Sequence, residues 1–209
     1  AGALDTGAFL VSAATPVTGD VTLISDTSTV TVGAGGVTVG DTLTIQIGAG
    51  LTLNVAGPIT GATSVALHAD AIEISANIGA TGTITLAPVT AGTAVTVGGV
   101  AGAGFVIDST ELTFLTSAST LTIGKQSTGT ITAGTITLAP PSVGSATLNL
   151  FTNAGISQTG QLTIGGGTGT LNFEAAGTVN FGGGGVRLGT LGGSTTSGFV
   201  RFADGGAGA

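Results

Sequence analysis

One pattern governs what this chain can become. Apolar and small polar residues alternate in runs of four or five, and a glycine-rich corner interrupts each run before it can lengthen. Val21-Thr22-Leu23-Ile24, Thr42-Leu43-Thr44-Ile45, Leu51-Thr52-Leu53-Asn54-Val55, Ser64-Val65-Ala66-Leu67, Ala71-Ile72-Glu73-Ile74 and Thr83-Ile84-Thr85-Leu86 all obey it. So do Glu111-Leu112-Thr113-Phe114, Thr120-Leu121-Thr122-Ile123, Thr135-Ile136-Thr137-Leu138, Thr147-Leu148-Asn149-Leu150, Thr170-Leu171-Asn172-Phe173 and Thr178-Val179-Asn180-Phe181. Side chains of a strand point alternately to its two faces, so each run is a half-buried strand with Leu, Ile, Val or Phe inward and Thr or Asn outward. The corners are segments such as Gly33-Ala34-Gly35-Gly36, Gly165-Gly166-Gly167 and Gly182 to Gly185. A sandwich would use longer strands and guard its edges with charge. Very short strands between close turns suit the sides of a solenoid coil.

Recurrence supports the coil. Gly82-Thr83-Ile84-Thr85-Leu86-Ala87-Pro88 returns unchanged as residues 134 to 140, and Leu121-Thr122-Ile123-Gly124 returns as residues 162 to 165. Between residues 59 and 86 a shorter step shows, with Ile59 and Ile78, Val65 and Ile84, and Leu67 and Leu86 each 19 apart. The longer words recur after 52 and 41 residues, neither a multiple of 19, so coils differ in length and corners absorb the difference. The expectation is an all-β fold, a right-handed parallel β-helix with coils of about 19 or more residues. About ten coils at about 4.8 Å each give a rod on the order of 50 Å. Residues 1–209 form a single solenoid segment of a longer repetitive chain, with a flexible end at 205–209.

Composition narrows the chemistry. The chain has no Cys, Met, Trp or Tyr and a single His, which removes most catalytic reagents. Charged residues make up 6% against roughly 25% in typical domains, while hydrophobic residues reach 42%, so the chain packs and is not disordered. The 40 glycines and 39 threonines favour corners and pleated strands over helices. Net charge is −7, with Lys125, Arg187 and Arg201 as the only cations. Three scattered cations make no phosphate-binding patch, so nucleic acid is excluded as a partner. An anionic membrane surface would repel the chain. No apolar run approaches a spanning helix, so no membrane insertion is expected. No cationic, then apolar, leader stands at the start and no Met occupies position 1, so the sequence reads as a processed or excised segment.

Four features could carry chemistry. His68, Asp70 and Glu73 alternate with the inward Val65, Leu67, Ile72 and Ile74, and an imidazole with two carboxylates is a recognisable metal set. A solvated polar face explains them more simply. Asp108 and Glu111 are a close acidic pair of the kind glycoside cleavage uses, but no Trp or Tyr is present to stack on a sugar. They read as solvent-facing residues flanking a corner between two strands. Gly182 to Gly185 lead into the strand-like Val186-Arg187-Leu188, not into the helix a phosphate loop needs. Thr-x-Thr pairs at 29/31, 42/44, 83/85, 120/122 and 135/137 resemble an ice-binding array, but their irregular spacing predicts that they do not stack in register. No residue is therefore assigned a catalytic, cofactor-binding or metal-binding role, and no cofactor is expected.

Two longer stretches carry a family resemblance: residues 64–74 with Asn77-Ile78, and Gly155-Ile156-Ser157-Gln158-Thr159-Gly160-Gln161-Leu162-Thr163-Ile164. Both resemble repeats of the filamentous haemagglutinin family, and the similarity runs from about residue 20 to 182. The resemblance implies a secreted adhesin displayed as a right-handed β-helical shaft, extracellular or on a bacterial surface, with a cell-surface or matrix receptor. Thr63-Ser64-Val65-Ala66-Leu67 hints at a trimeric autotransporter head, but the word does not recur at that fold's period. The expected function is a structural or adhesive shaft and not an enzyme. Ice binding and a polysaccharide-active β-helix are the alternatives. Without a convincing cap at either end, the ends are expected to meet further repeats of the same chain or another copy.

Overall fold

The structure is a computed structural model that describes residues 9–11, 16–99, 104–116, 119–138 and 147–202. The expected flexible end at 205–209 lies outside the described residues. Every paired strand is parallel to its neighbour, and successive turns stack into a β-solenoid with three faces. Among the described residues, helix is confined to two single-turn 3-10 segments, Glu111–Phe114 and Gly165–Gly167.

The first face begins with Phe9–Val11, Val30–Val32, Thr52–Val55 and Ala71–Ile74. It continues in a six-stranded sheet that ends at Val179–Phe181 and Val200–Phe202. The second face holds Val37–Thr38, the first halves of Ile59–His68 and Ile78–Ala87, and Leu115–Thr116. Further along the rod the chain passes between the other two faces through Ile136–Leu138, Leu162–Ile164 and Val186–Arg187. The third face carries eight successive rungs: Val21–Ser25, Thr42–Ile47, the second halves of the two long strands, Thr120–Gly124, Thr147–Thr152, Thr170–Ala175 and Thr190–Thr195. The solenoid thus has about eight turns, fewer than the ten expected.

Unequal coils account for the difference. Along the inward column Val21, Leu43, Val65, Ile84, Leu121, Leu148, Leu171 and Leu191, partners are 22, 22, 19, 37, 27, 23 and 20 residues apart. The 19-residue step read between residues 59 and 86 is the true register there: Ile59 pairs Ile78, Val65 pairs Ile84 and Leu67 pairs Leu86. The longer repeated words do not mark equivalent coil positions. Thr83 to Leu86 lie on the third face, whereas Ile136 to Leu138 lie on the second. Leu121 to Ile123 and Leu162 to Ile164 divide in the same way. Alternation of Thr with Leu or Ile specifies a wall strand, and it is silent about which wall.

Inward residues form continuous ladders, and Leu43, Ile45, Leu67, Ile84, Leu86, Leu121, Ile123, Leu148, Leu150 and Leu171 are all buried. Toward the last coils aromatic rings take over. Phe173 meets Phe181 edge-on at 5.7 Å, and Phe181 stacks on Phe202 at 5.1 Å. At the corner leading from the first face to the second, glycines replace side chains altogether. A Cβ on Gly134 would stand 2.5 Å from the Gly98 carbonyl oxygen, one on Gly160 2.6 Å from the Gly134 carbonyl carbon, and one on Gly184 2.5 Å from the Gly160 oxygen. Backbone stacks directly on backbone there. Buried Gln158 braces this corner from inside by donating to the carbonyls of Gly160 and Gly185 at 2.7 and 3.3 Å.

The 37-residue coil breaks the simple order. Phe105–Asp108 pairs with Val95–Gly99, which in turn pairs with Ile131–Ala133. Yet Phe105–Asp108 is the strand that lies against Ala71–Ile74. The later strand therefore occupies the lower rung, and the first face gains a rung that the third face lacks. Here the structure also corrects the reading of Glu111 to Phe114 as a strand. Asp108 Oδ1 accepts the amides of Thr110 and Glu111 at 2.7 and 2.8 Å, and Thr113 N donates to the Thr110 carbonyl, so the segment closes as a 3-10 turn. A short carboxylate able to accept local amides competes successfully with the pleated pattern.

Candidate functional site

At the inverted rung, Glu111 is not the solvent-facing residue its sequence context suggests. It is only 8% exposed. Its Oε1 accepts the Ile74 amide at 2.7 Å and its Oε2 accepts the Asp108 amide at 2.8 Å, so one carboxylate satisfies donors on two neighbouring rungs. Burial pushes the Glu111 carboxyl above the ordinary range. The two amides oppose that rise, and the Asp108 and Glu73 carboxylates add to it. Asp108 is committed to capping the turn. Both carboxylates thus accept backbone amides, whereas glycoside cleavage uses a pair of carboxylates that face a substrate.

His68, Asp70 and Glu73 are separated by the corner they span. His68 ends a third-face rung in register with Gln46 and Ala87, half-buried. Its imidazole titrates below the ordinary range because it is partly desolvated and because Lys125 is nearby. Asp70 sits on the corner itself. It accepts the Gly50 amide from the coil below at 2.9 Å, the Val89 and Thr90 amides from the coil above at 3.0 and 2.8 Å, and the Thr90 hydroxyl. Burial raises the Asp70 carboxyl, but the bonds from Thr90, Gly50 and Val89 outweigh that effect and hold it below the ordinary range. Glu73 stands exposed on the first face beside Asn54. Among the described residues, no group of three His, Asp or Glu side chains converges on a common point. The arrangement is a staple across three coils.

The threonine pairs correct the sequence reading most sharply. Irregular spacing implied that they fall out of register, yet 42/44, 83/85 and 120/122 all lie on the third face in one register. Thr83 and Thr85 are direct partners of Thr120 and Thr122, and Ser64 and Ala66 separate them from Thr42 and Thr44. The pair 29/31 leads into the first face, where Thr31 partners Asn54, and 135/137 leads into the second, where Thr137 partners Thr163. One outward column of the third face reads Thr42, Ser64, Thr83, Thr120, Thr147, Thr170 and Thr190 over seven consecutive rungs. The column beside it reads Thr22, Thr44, Ala66, Thr85, Thr122, Asn149, Asn172 and Gly192. Asn149 donates to the Thr122 hydroxyl at 3.1 Å and Asn172 to the Asn149 carbonyl at 3.2 Å. Part of the signal was present in the sequence: the rungs at Thr42, Thr83, Thr120, Thr147 and Thr170 share the grammar Thr, apolar, Thr or Asn, apolar, although Thr135-Ile136-Thr137-Leu138 on the second face shares it too. Unequal coils conceal it from any search by constant spacing.

Two further features complete the surface. A shallow groove of about 320 Å³ opens on the second face among Thr60, Gly61, Asn77, Gly79, Thr81 and Thr116, with no charged residue in its lining. Gly182 to Gly185 form a corner: Gly183 and Gly184 lie against the backbone of Gln158 and Gly160, and the chain passes into the strand Val186–Arg187. Among the described residues no helix is long and apolar enough to cross a membrane. No protein-family model, curated protein or solved structure matches the chain.

Proposed function

We propose that this chain is a length of structural or adhesive shaft in a secreted or surface-displayed bacterial fibre, working outside the cell and without catalysis. The observation that carries this reading is the parallel stack, unbroken through eight rungs on the third face. Backbone bonds and an apolar core run from coil to coil through about eight turns, and two of the polar side chains singled out as candidates, Asp70 and Glu111, are engaged in holding coils together. Such a body is stiff along its axis and sets distance, which is what a shaft must do. The resemblance to filamentous haemagglutinin repeats points the same way and brings with it a cell-surface or matrix receptor.

Axial contact belongs to this proposal. On the last rungs the inward register positions Leu191, Val200 and Phe202 are 40, 41 and 44% exposed, although each stacks on a buried partner below. Further repeats of the same chain, or the end of a second copy, would cover them. Sedimentation and negative-stain microscopy of the segment test this. We expect rods longer than one segment, growing with concentration, and shorter particles once Phe202→Lys places a charge on the terminal stack. A compact monomer at every concentration would contradict end-to-end contact. A particle of globular outline would contradict the shaft itself.

A further inference from the structure

We propose that the third face is an ice-adsorbing surface, a rigid array of hydroxyls and methyls that meets a face of crystalline water. The proposal goes beyond the shaft reading and holds whether or not the last coil is covered by another. A crystal face presents a two-dimensional lattice, so a protein gains by adsorbing only where many of its groups stand at fixed repeats in both directions. Rungs repeat at about 4.8 Å, and outward residues two apart along a strand repeat at about 6.6 Å. Within that grid the first column has a hydroxyl on seven consecutive rungs, and Thr83, Thr85, Thr120 and Thr122 form a complete two-by-two unit at its centre.

Three further observations favour an ordered water lattice over a dissolved ligand. No position in either column carries a charged side chain, so no tightly hydrated ion must be stripped or accommodated at the contact. Asp20 below the first rung of the Thr42 column and the exposed Glu174 beyond Asn172 lie at its margins. Among the described residues, the hydroxyls of the first column make no bond within the protein and are free to bond outward. The array is also ordered before contact: its Cβ-branched side chains are stiff, and the ladder from Asn172 through Asn149 to Thr122 ties three rungs of the second column together. Pre-formed order lowers the entropic cost of a many-point contact. A polysaccharide chain is the less suitable occupant, because the sequence has no Trp or Tyr and neither column contains an aromatic ring on which a sugar could stack.

The test uses the whole 209-residue chain and ice itself as the probe. Freezing-point hysteresis and the shape of single ice crystals are measured for the native protein and for Thr120→Lys, Thr120→Tyr and Glu73→Lys. Glu73 lies on the first face, and its substitution raises the net charge by two against one for Thr120→Lys, so it controls for added positive charge away from the array. Circular dichroism confirms that each variant is folded, and Thr120→Tyr, which suits an outward strand position, replaces Thr120→Lys should the latter not fold. The expected result is hysteresis and faceted crystals for the native chain and Glu73→Lys, with most of the freezing gap lost in folded Thr120 variants. Absence of crystal shaping by the folded native chain would overturn the proposal, as would full activity in a folded Thr120 variant. Co-sedimentation with crystalline cellulose or chitin, lost on the same substitution and unaccompanied by any effect on ice, would overturn it in favour of a polysaccharide surface.

Discussion

Single carboxylates decide how coils meet where the strand pattern stops. Asp70 gathers donors from the coils on either side of it, and Glu111 gathers donors from two rungs of the first face. Their titrations act in opposite directions. Asp70 is held below its unfolded value, so its stabilising contribution is complete above that value and disappears as pH falls through the folded titration. Glu111 is pushed above its unfolded value, so ionisation works against the fold and stability is gained as pH falls from above its folded titration to below the unfolded one. Denaturant melts across the acidic range should therefore show a small gain before the acid loss. Glu111→Gln should erase the gain, and Asp70→Ala should flatten the loss while lowering stability near neutrality. Bonds to a charged group contribute about 1.5–3 kcal/mol each, and solvent screening at this partly exposed corner brings the whole substitution to about 1–2 kcal/mol. A Glu111→Gln profile identical to that of the native protein would remove the linkage between this carboxyl and stability. Nothing in the sequence distinguished these two from solvated acids, because all their backbone donors except the Asp108 amide lie 19 to 37 residues away.

Walls and corners differed in how far they could be read in advance. Wall strands such as Thr42–Ile47 and Thr170–Ala175 were legible because a period of two with β-branched residues has one pleated solution. Glu111–Phe114 satisfied the same alternation and still became a 3-10 turn, since Asp108 offered its amides a local acceptor. Assignment of strands to walls was not legible, because the second and third faces use the same words. Corner glycines were recognised as corners, but their reason differs from place to place. Gly50 has φ +72° with nothing near a prospective Cβ, so its requirement is conformational. Gly134 has ordinary φ but no room between Gly98 and Gly160. Gly50→Ala should cost about 1 kcal/mol from the left-handed backbone alone. Gly134→Ala must move stacked backbone and should cost about 1–3 kcal/mol or more, the range of overpacked cores. A smaller thermal shift for Gly134→Ala than for Gly50→Ala would contradict the stacking of backbone on backbone along the glycine column.

For the whole molecule, the unequal coils are the central structural fact. Coils of 19 to 37 residues keep one register because surplus chain leaves at corners and at the inverted rung, while inward Leu, Ile and Val continue to stack. That register makes the core continuous and aligns the threonines of the third face. A sequence search by constant step finds the solenoid but misplaces its surface. The most direct test is the register across the longest coil. Chain chemistry favours it, since the protein has no native Cys and paired labels are unambiguous. Nitroxide labels on Thr83→Cys and Thr120→Cys, 37 residues apart in sequence, should stand on adjacent rungs about 4.8 Å apart and show strong spin–spin broadening. Labels on Thr83→Cys and Thr147→Cys, two rungs apart, should show clearly less. Broadening absent from the first pair, in a protein that retains its β-structure, would contradict the register and with it the continuous stack of coils.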